Sequence, residues 1–335
     1  MKRTAAFILA FLAITLLALF LRAWRLDVRP MHHDEANQAV RTWNLVETGV
    51  YRYDPDEHHG PTLYYLAAPF IRIYSGKSFA NADEIGFRLI PALFGVALIP
   101  MLLILRNAFS RTPLLVAALL TAVSPAMVFY SRYFIQEMLL VFFTFGVVAC
   151  GWRYFLKPSF GWALGAGLFA GLMFATKETS VLAYVAMAVG VGAVALGEGR
   201  RAGASGSTGI KSVHVLLGLG AALLTAALLF SSFASHPSGI LDGVRSFGVY
   251  LGRGFSGSFH LHPFGYYFGI LLYTNEGRGP VWTEAFILVL ALAGAALFWL
   301  RPAVGPDSRL ARFLAVYGLV LALIYSAIFA RRAHA

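Results

Sequence analysis

Cysteine is almost missing from this sequence. The single Cys150 lies in an apolar run, which excludes a disulfide framework and a multi-cysteine zinc site. Charge is scarce too. Asp, Glu, Lys and Arg make up 13% of the 335 residues, about half the share of a soluble chain. Hydrophobic residues make up 59%, and mean hydropathy is +0.69. Such a chain cannot clothe itself in a polar surface, so lipid is its natural solvent. The net charge of +11 raises nucleic acid as a partner, but the basic residues are dispersed between apolar runs. Membrane topology accounts for that pattern better.

What is present is a series of apolar stretches. A membrane-spanning helix needs about 20 mainly apolar residues. Nine stretches qualify, at roughly 5–23, 84–105, 112–130, 133–154, 161–176, 179–196, 213–234, 282–300 and 310–330. The expectation is an all-α integral membrane protein, one polytopic domain over 1–335. Arg22, Trp24 and Arg25 read as interfacial anchors of the first span. With the N-terminus cytoplasmic, the inner loops carry ten Lys and Arg and the short outer loops only Arg132 and Lys177. That follows the positive-inside rule and places a multi-pass chain in the cell inner (plasma) membrane. Segments 24–83 and 235–281 then become long outer loops, and 197–212 a flexible inner one. Gly161, Gly165, Gly167 and Gly171 form two small-xxx-small pairs suited to close helix packing in lipid. The ending ARRAHA reads as a chain cut short, which leaves open whether this chain is a complete enzyme.

The few carboxylates are unevenly placed. Of 16 acidic residues, nine fall between Asp27 and Glu84, in company with His32, His33, His58 and His59. Within this stretch the pattern predicts a helix from about Asp34 to Thr48, stopped by Gly49, with Ala39, Val40, Trp43 and Val46 on one apolar face. A second short apolar segment runs from Thr62 to Tyr74. Both are expected to lie in the membrane interface. Asp34 and Glu35 suit general-base work on an acceptor hydroxyl. Asp34 is favoured as base and Glu35 as its neighbour or a helix-cap contact. Arg88, Arg132 and Lys177 are the cations to aim at a phosphate. His59, Tyr64, Glu137, Glu178, His262 and Tyr266 are candidates to line a substrate path. His32, His33 and His58 could join a divalent metal, although no HxxxH or HExxH spacing is present. No other cofactor is indicated.

The blocks Asp34-Glu35, HGPTLYYLAAP (59–69), FRLIPALFG (87–95), SRYFIQEMLLVFF (131–143) and GLMFATKETSVL (171–182) occur in an order that resembles the GT-C superfamily of polytopic glycosyltransferases. That group includes protein O-mannosyltransferases and lipid A aminoarabinose transferases. HHDEA with HGPTLYY is most similar to membrane proteins named after flippase-associated proteins of archaeal N-glycosylation. The resemblance implies a sugar carried on a polyprenyl phosphate and transfer on the outer face to a lipid, glycan or protein acceptor. It implies inversion in one displacement, with Asp34 or Glu35 as base and Arg132 and Lys177 on the lipid phosphate. The competing reading is a non-enzymatic flippase, transporter or subunit handling polyprenyl-linked sugars. Paired repeats and polar residues near the bilayer midplane would favour it.

Overall fold

The computed structural model describes residues 2–76, 78–199, 209–256, 263–275, 277, 281–300 and 306–328. In chain order the helices are α1 (Lys2–Ala23), α2 (His33–Thr48), α3 (Thr62–Ser75), α4 (Glu84–Met101), α5 (Arg111–Val123), α6 (Pro125–Ser131) and α7 (Glu137–Leu156). They continue as α8 (Phe160–Phe174), α9 (Ser180–Gly199), α10 (Ser212–Phe230), α11 (Gly239–Ser256), α12 (Tyr266–Leu272), α13 (Ala285–Leu300) and α14 (Pro306–Ile328). Among the described residues the β-structure is an isolated bridge between Thr274 and Trp282.

All nine expected stretches are helical, but they are not alike. Among the described residues six helices are long and apolar enough to cross a membrane. α5 and α6 meet that test only together, bent by 57° at their junction, and α8 and 285–298 are shorter apolar helices. The stretch expected to begin at Tyr133 becomes helical only at Glu137, because residues 132–136 form an ordered turn.

Two compact units are present, Met1–Glu178 with Ile210–Ser246, and Thr179–Gly209 with Phe247–Ala335. In the first, α1 packs on α4 and α5, α4 on α7, α7 on α8, and α8 on α10. Glycines set the closest approaches. A Cβ on Gly167 would run into the Gly218 carbonyl of α10, and one on Gly171 would meet Ala222 and Thr225. Gly165 faces Cys150, whereas Gly161 faces open space, so only part of the glycine series packs helices together.

The α5–α6 bend has a local cause. Pro125 has no N–H to offer the Thr121 carbonyl one turn earlier. Arg22 supplies the donor instead. Its Nη2 reaches Thr121 O at 2.8 Å, Nη1 reaches Ala122 O at 2.8 Å, and Nε reaches Ser131 Oγ at 3.1 Å. Arg22 is fully buried, which corrects its reading as an interfacial anchor. Gly95 of α4 leaves room for this crossing, since a Cβ there would collide with Ser131 and Arg22.

In the second unit, α9 packs on α14, and Gly190 lies against the Phe313 ring. Tyr267 of α12 meets Tyr325 of α14 at 6.2 Å between ring centroids. The stretch 200–208, most of the expected inner loop, lies outside the described residues, as does His262.

Candidate functional site

α2 forms where the sequence predicts it. Its N-cap is His32, whose Nδ1 accepts from the Asp34 N–H at 3.3 Å, while the Glu35 carboxylate accepts from the His32 N–H at 3.1 Å. That reciprocal pair is a capping box. Gly49 closes the helix with φ +71°. The buried face differs from expectation. Glu35, Gln38, Ala39, Thr42, Trp43 and Leu45 are buried, and Val40 is 46% exposed. The protein-facing stripe therefore carries three polar side chains that hydropathy alone assigns outward.

Glu35 is the most heavily tied of these. Arg88 Nε and Nη2 each bond its carboxylate at 2.7 Å, the Phe134 N–H donates at 2.9 Å and Arg29 Nη2 at 3.1 Å. The remaining Arg88 donors go to the carbonyls of Leu26, Arg29 and Pro30. All five guanidinium N–H groups are thus used, and Arg88 is 1% exposed. Burial raises the Glu35 pKa, but the Arg88 hydrogen bonds, the backbone donors and the Arg88 charge outweigh it and hold the carboxyl below its ordinary range. Two expectations change here. Arg88 has no donor left for a phosphate, and Glu35 has no open lone pair with which to take a proton. Together they pin the start of α2 to α4 and to the 132–136 turn.

Asp34, one residue earlier, points about 100° away round the helix. Its side chain is 57% exposed. One carboxylate oxygen lies 3.3 Å from the Tyr133 hydroxyl, which also lies 2.7 Å from His32 Nδ1. Burial, then the Asp34 and Glu35 charges, push the Tyr133 phenol well up, so it stays protonated and donates. Arg132 caps the end of α1, with Nη1 2.7 Å from Trp24 O and Nη2 2.9 Å from Arg25 O. That capping engages both of its Nη groups. Ser131, Arg132, Tyr133 and Phe134 therefore each touch the α1–α2 region.

A second cluster lies at the α8–α9 turn. Glu178, 4% exposed, accepts from the Tyr53 hydroxyl at 2.7 Å and from His59 Nδ1 at 2.8 Å. Burial raises its pKa, but His59, by hydrogen bond and charge, brings it below the ordinary range. Gly60 makes the cluster possible, because a Cβ there would strike the Ala175 carbonyl, which accepts from the Thr62 N–H at 3.1 Å. The HGPT and ATKE blocks interlock at this point. Lys177 Nζ holds Glu137 Oε1 at 2.5 Å. Between the clusters runs a buried polar bridge. Tyr64 donates to Gln38, Gln136 donates to the same Gln38 oxygen at 3.0 Å, and Tyr51 stacks on Tyr64 at 4.7 Å. Tyr64 is fully buried in this bridge, so it supports the site from behind.

His32 and His33 cap α2, His33 near Asn37, whereas His58 is buried beyond the loop with its pKa lowered by burial and by Arg41. Among the described residues no group of three His, Cys, Asp or Glu side chains is gathered as metal ligands. Tyr266, at the start of α12, stacks edge-on with Tyr267 in the second unit. Sequence reasoning passed over Arg29, Gln38, Tyr133 and Gln136. The last two stand inside the SRYFIQE block, whose polar residues between two apolar helices were the available signal.

The model of the dolichyl-phosphate-mannose-protein mannosyltransferase family matches residues 58–230, just over half of the chain. Comparison with curated protein sequences finds no match. Among solved structures, the apo oligosaccharyltransferase of Archaeoglobus fulgidus is similar with a TM-score of 0.57 and 16% identity, over 96% of this chain and 50% of that one. AglB of the same organism, in complex with an inhibitory peptide and a dolichol-phosphate, has a TM-score of 0.55 and 16% identity over 97% and 50%. ArnT from Cupriavidus metallidurans, bound to undecaprenyl phosphate, has a TM-score of 0.54 and 16% identity over 95% and 60%. The chain thus spans half to three fifths of these solved chains, and at such identity the likeness shows a shared fold. With the interlocked motif blocks and the family match, the chain belongs to the dolichyl-phosphate-mannose-protein mannosyltransferase family, within the GT-C superfamily of membrane glycosyltransferases.

Proposed function

We propose that this protein transfers a sugar from a polyprenyl-phosphate-linked donor to an acceptor hydroxyl on the outer face of the cell membrane. The observation that carries the reading is the division of labour at the start of α2. Glu35 is buried and saturated, whereas Asp34 is exposed, with the Tyr133 phenol and the His32 and His33 rings beside its carboxylate. Asp34 is the general base. It removes the proton of the acceptor hydroxyl, whose oxygen attacks the anomeric carbon. The bond from that carbon to the phosphate oxygen breaks, and its electron pair leaves with the lipid phosphate. One displacement inverts the anomeric centre. Lys177, on Glu137 beside the polar bridge, adds positive charge on the donor side. The helices α2 and α3 lie in the membrane interface, where a lipid-borne phosphate and a water-borne acceptor meet.

The test is sugar transfer from a polyprenyl-phosphate sugar by purified protein in liposomes. Asp34→Asn is expected to lower the rate by about two to four orders of magnitude while the protein inserts and melts normally. Full transfer by that variant would overturn Asp34 as base. Scrambling of the lipid without donor cleavage by the wild type would favour a flippase instead.

A further inference from the structure

The three cations expected to meet a phosphate are largely committed elsewhere, to Glu35, to the α1 carbonyls and to Glu137. A fourth is not. Arg29 follows α1 by six residues and carries a half-exposed side chain, 42% accessible. Its Nη2 donates to Glu35 at 3.1 Å and to Arg132 O at 3.5 Å. Among the described residues its Nε and Nη1 have no hydrogen-bond partner. The guanidinium is nonetheless fixed in place, with its carbon 5.2 Å from the Phe129 ring centre and 4.8 Å from that of Tyr133. Contact with the two rings holds the guanidinium plane in place and leaves Nη1 free, at little further entropy cost on binding.

Charge points the same way. Arg29 and Arg88 share the buried carboxylate of Glu35, and Arg132 stands nearby with its bonds on backbone carbonyls, so positive charge is in surplus. After burial, the charges of Arg88 and Arg29 are what depress the Arg132 pKa. The surplus sits next to Tyr133, which touches the Asp34 carboxylate. It also lies just past the end of a membrane-length helix.

We propose that the free Nη1 of Arg29 binds a phosphate oxyanion of a lipid phosphate ester, so that the anomeric carbon lies between the leaving group and Asp34. This rests on the reading of the protein as a polyprenyl-phosphate enzyme. A guanidinium holds Glu35 through Nη2 and a phosphate through Nη1 at the same time, whereas the single nitrogen of a lysine would have to serve both.

The test measures binding of a short-chain polyprenyl monophosphate to the full-length protein in detergent, with the uncharged polyprenol and phosphatidylglycerol as competitors. Wild type is expected to prefer the monophosphate over the polyprenol. Arg29→Gln should weaken monophosphate binding by about tenfold to a hundredfold. Arg29→Lys, which keeps the ion pair to Glu35, should recover only part, and it decides the matter if Arg29→Gln melts early. Unchanged binding in a folded Arg29→Gln or full recovery in Arg29→Lys would overturn the role of Arg29 alone. Equal competition by phosphatidylglycerol would reduce the site to a headgroup contact and overturn it as a donor site. Failure of the wild type to distinguish monophosphate from polyprenol would overturn both this site and the enzymatic reading.

Discussion

Two carboxylates are buried in the first unit, and different partners hold them. Glu35 is met by two guanidiniums and two backbone donors, at a junction of α2, α4 and the 132–136 turn. Glu178 is met by an imidazole and a phenol from the loop before α3. Two guanidiniums and two backbone donors leave a carboxylate no open lone pair, whereas an imidazole and a phenol each offer it a single bond. The first knot is therefore a permanent fastening of α2. The second couples the loop before α3 and the α8–α9 turn through one imidazole and one phenol.

The largest effect should come from breaking the permanent knot. Arg88→Met strands a buried carboxylate and is expected to cost about 3–5 kcal/mol, read as loss of folded protein in a detergent melt. The double variant Glu35→Met with Arg88→Met should recover much of that loss; no recovery would mean that the pair does more than neutralise itself. Gly60→Ala tests the second cluster at its backbone. The added carbon meets the Ala175 carbonyl, and a loss of about 1–3 kcal/mol is expected.

Acid titration sharpens the contrast further. Both carboxyls are held below their ordinary value of about 4.3. A depressed folded-state pKa contributes stability that is complete above the unfolded value and lost as pH falls through the folded one. Wild type should accordingly lose stability in that acid window, and Glu178→Gln should flatten part of the loss, measured as melting temperature against pH. A slope unchanged by Glu178→Gln would remove this cluster from the acid response. The smallest effect is expected at Gly49→Ala, where φ +71° costs a side chain about 1 kcal/mol without touching either cluster.

Legibility varied with the physics involved. The helices were readable because apolar runs of membrane length leave few alternatives. The limits of α2 were readable from its cap residues, and α3 was found where expected, from Thr62 to Ser75. The polar residues of the site were readable as a group, since carboxylates and histidines are rare elsewhere in this chain. Their individual roles were not. Arg22, Arg88 and Arg132 look alike as letters near the ends of apolar runs. One bridges a broken helix, one saturates a carboxylate and one caps α1. Those distinctions depend on partners about 50 to 110 residues away, which no local pattern encodes.

What the sequence determined alone was the solvent, the helical class and the neighbourhood of the chemistry, because composition and hydropathy act through transfer free energies that each segment carries with it. The tertiary structure decided which of two adjacent acids is open. Asp34 and Glu35 differ by one methylene and one position, and either could serve as a base. Helix geometry sends them in different directions, and the Arg88 guanidinium, brought from α4, satisfies one and leaves the other exposed beside Tyr133.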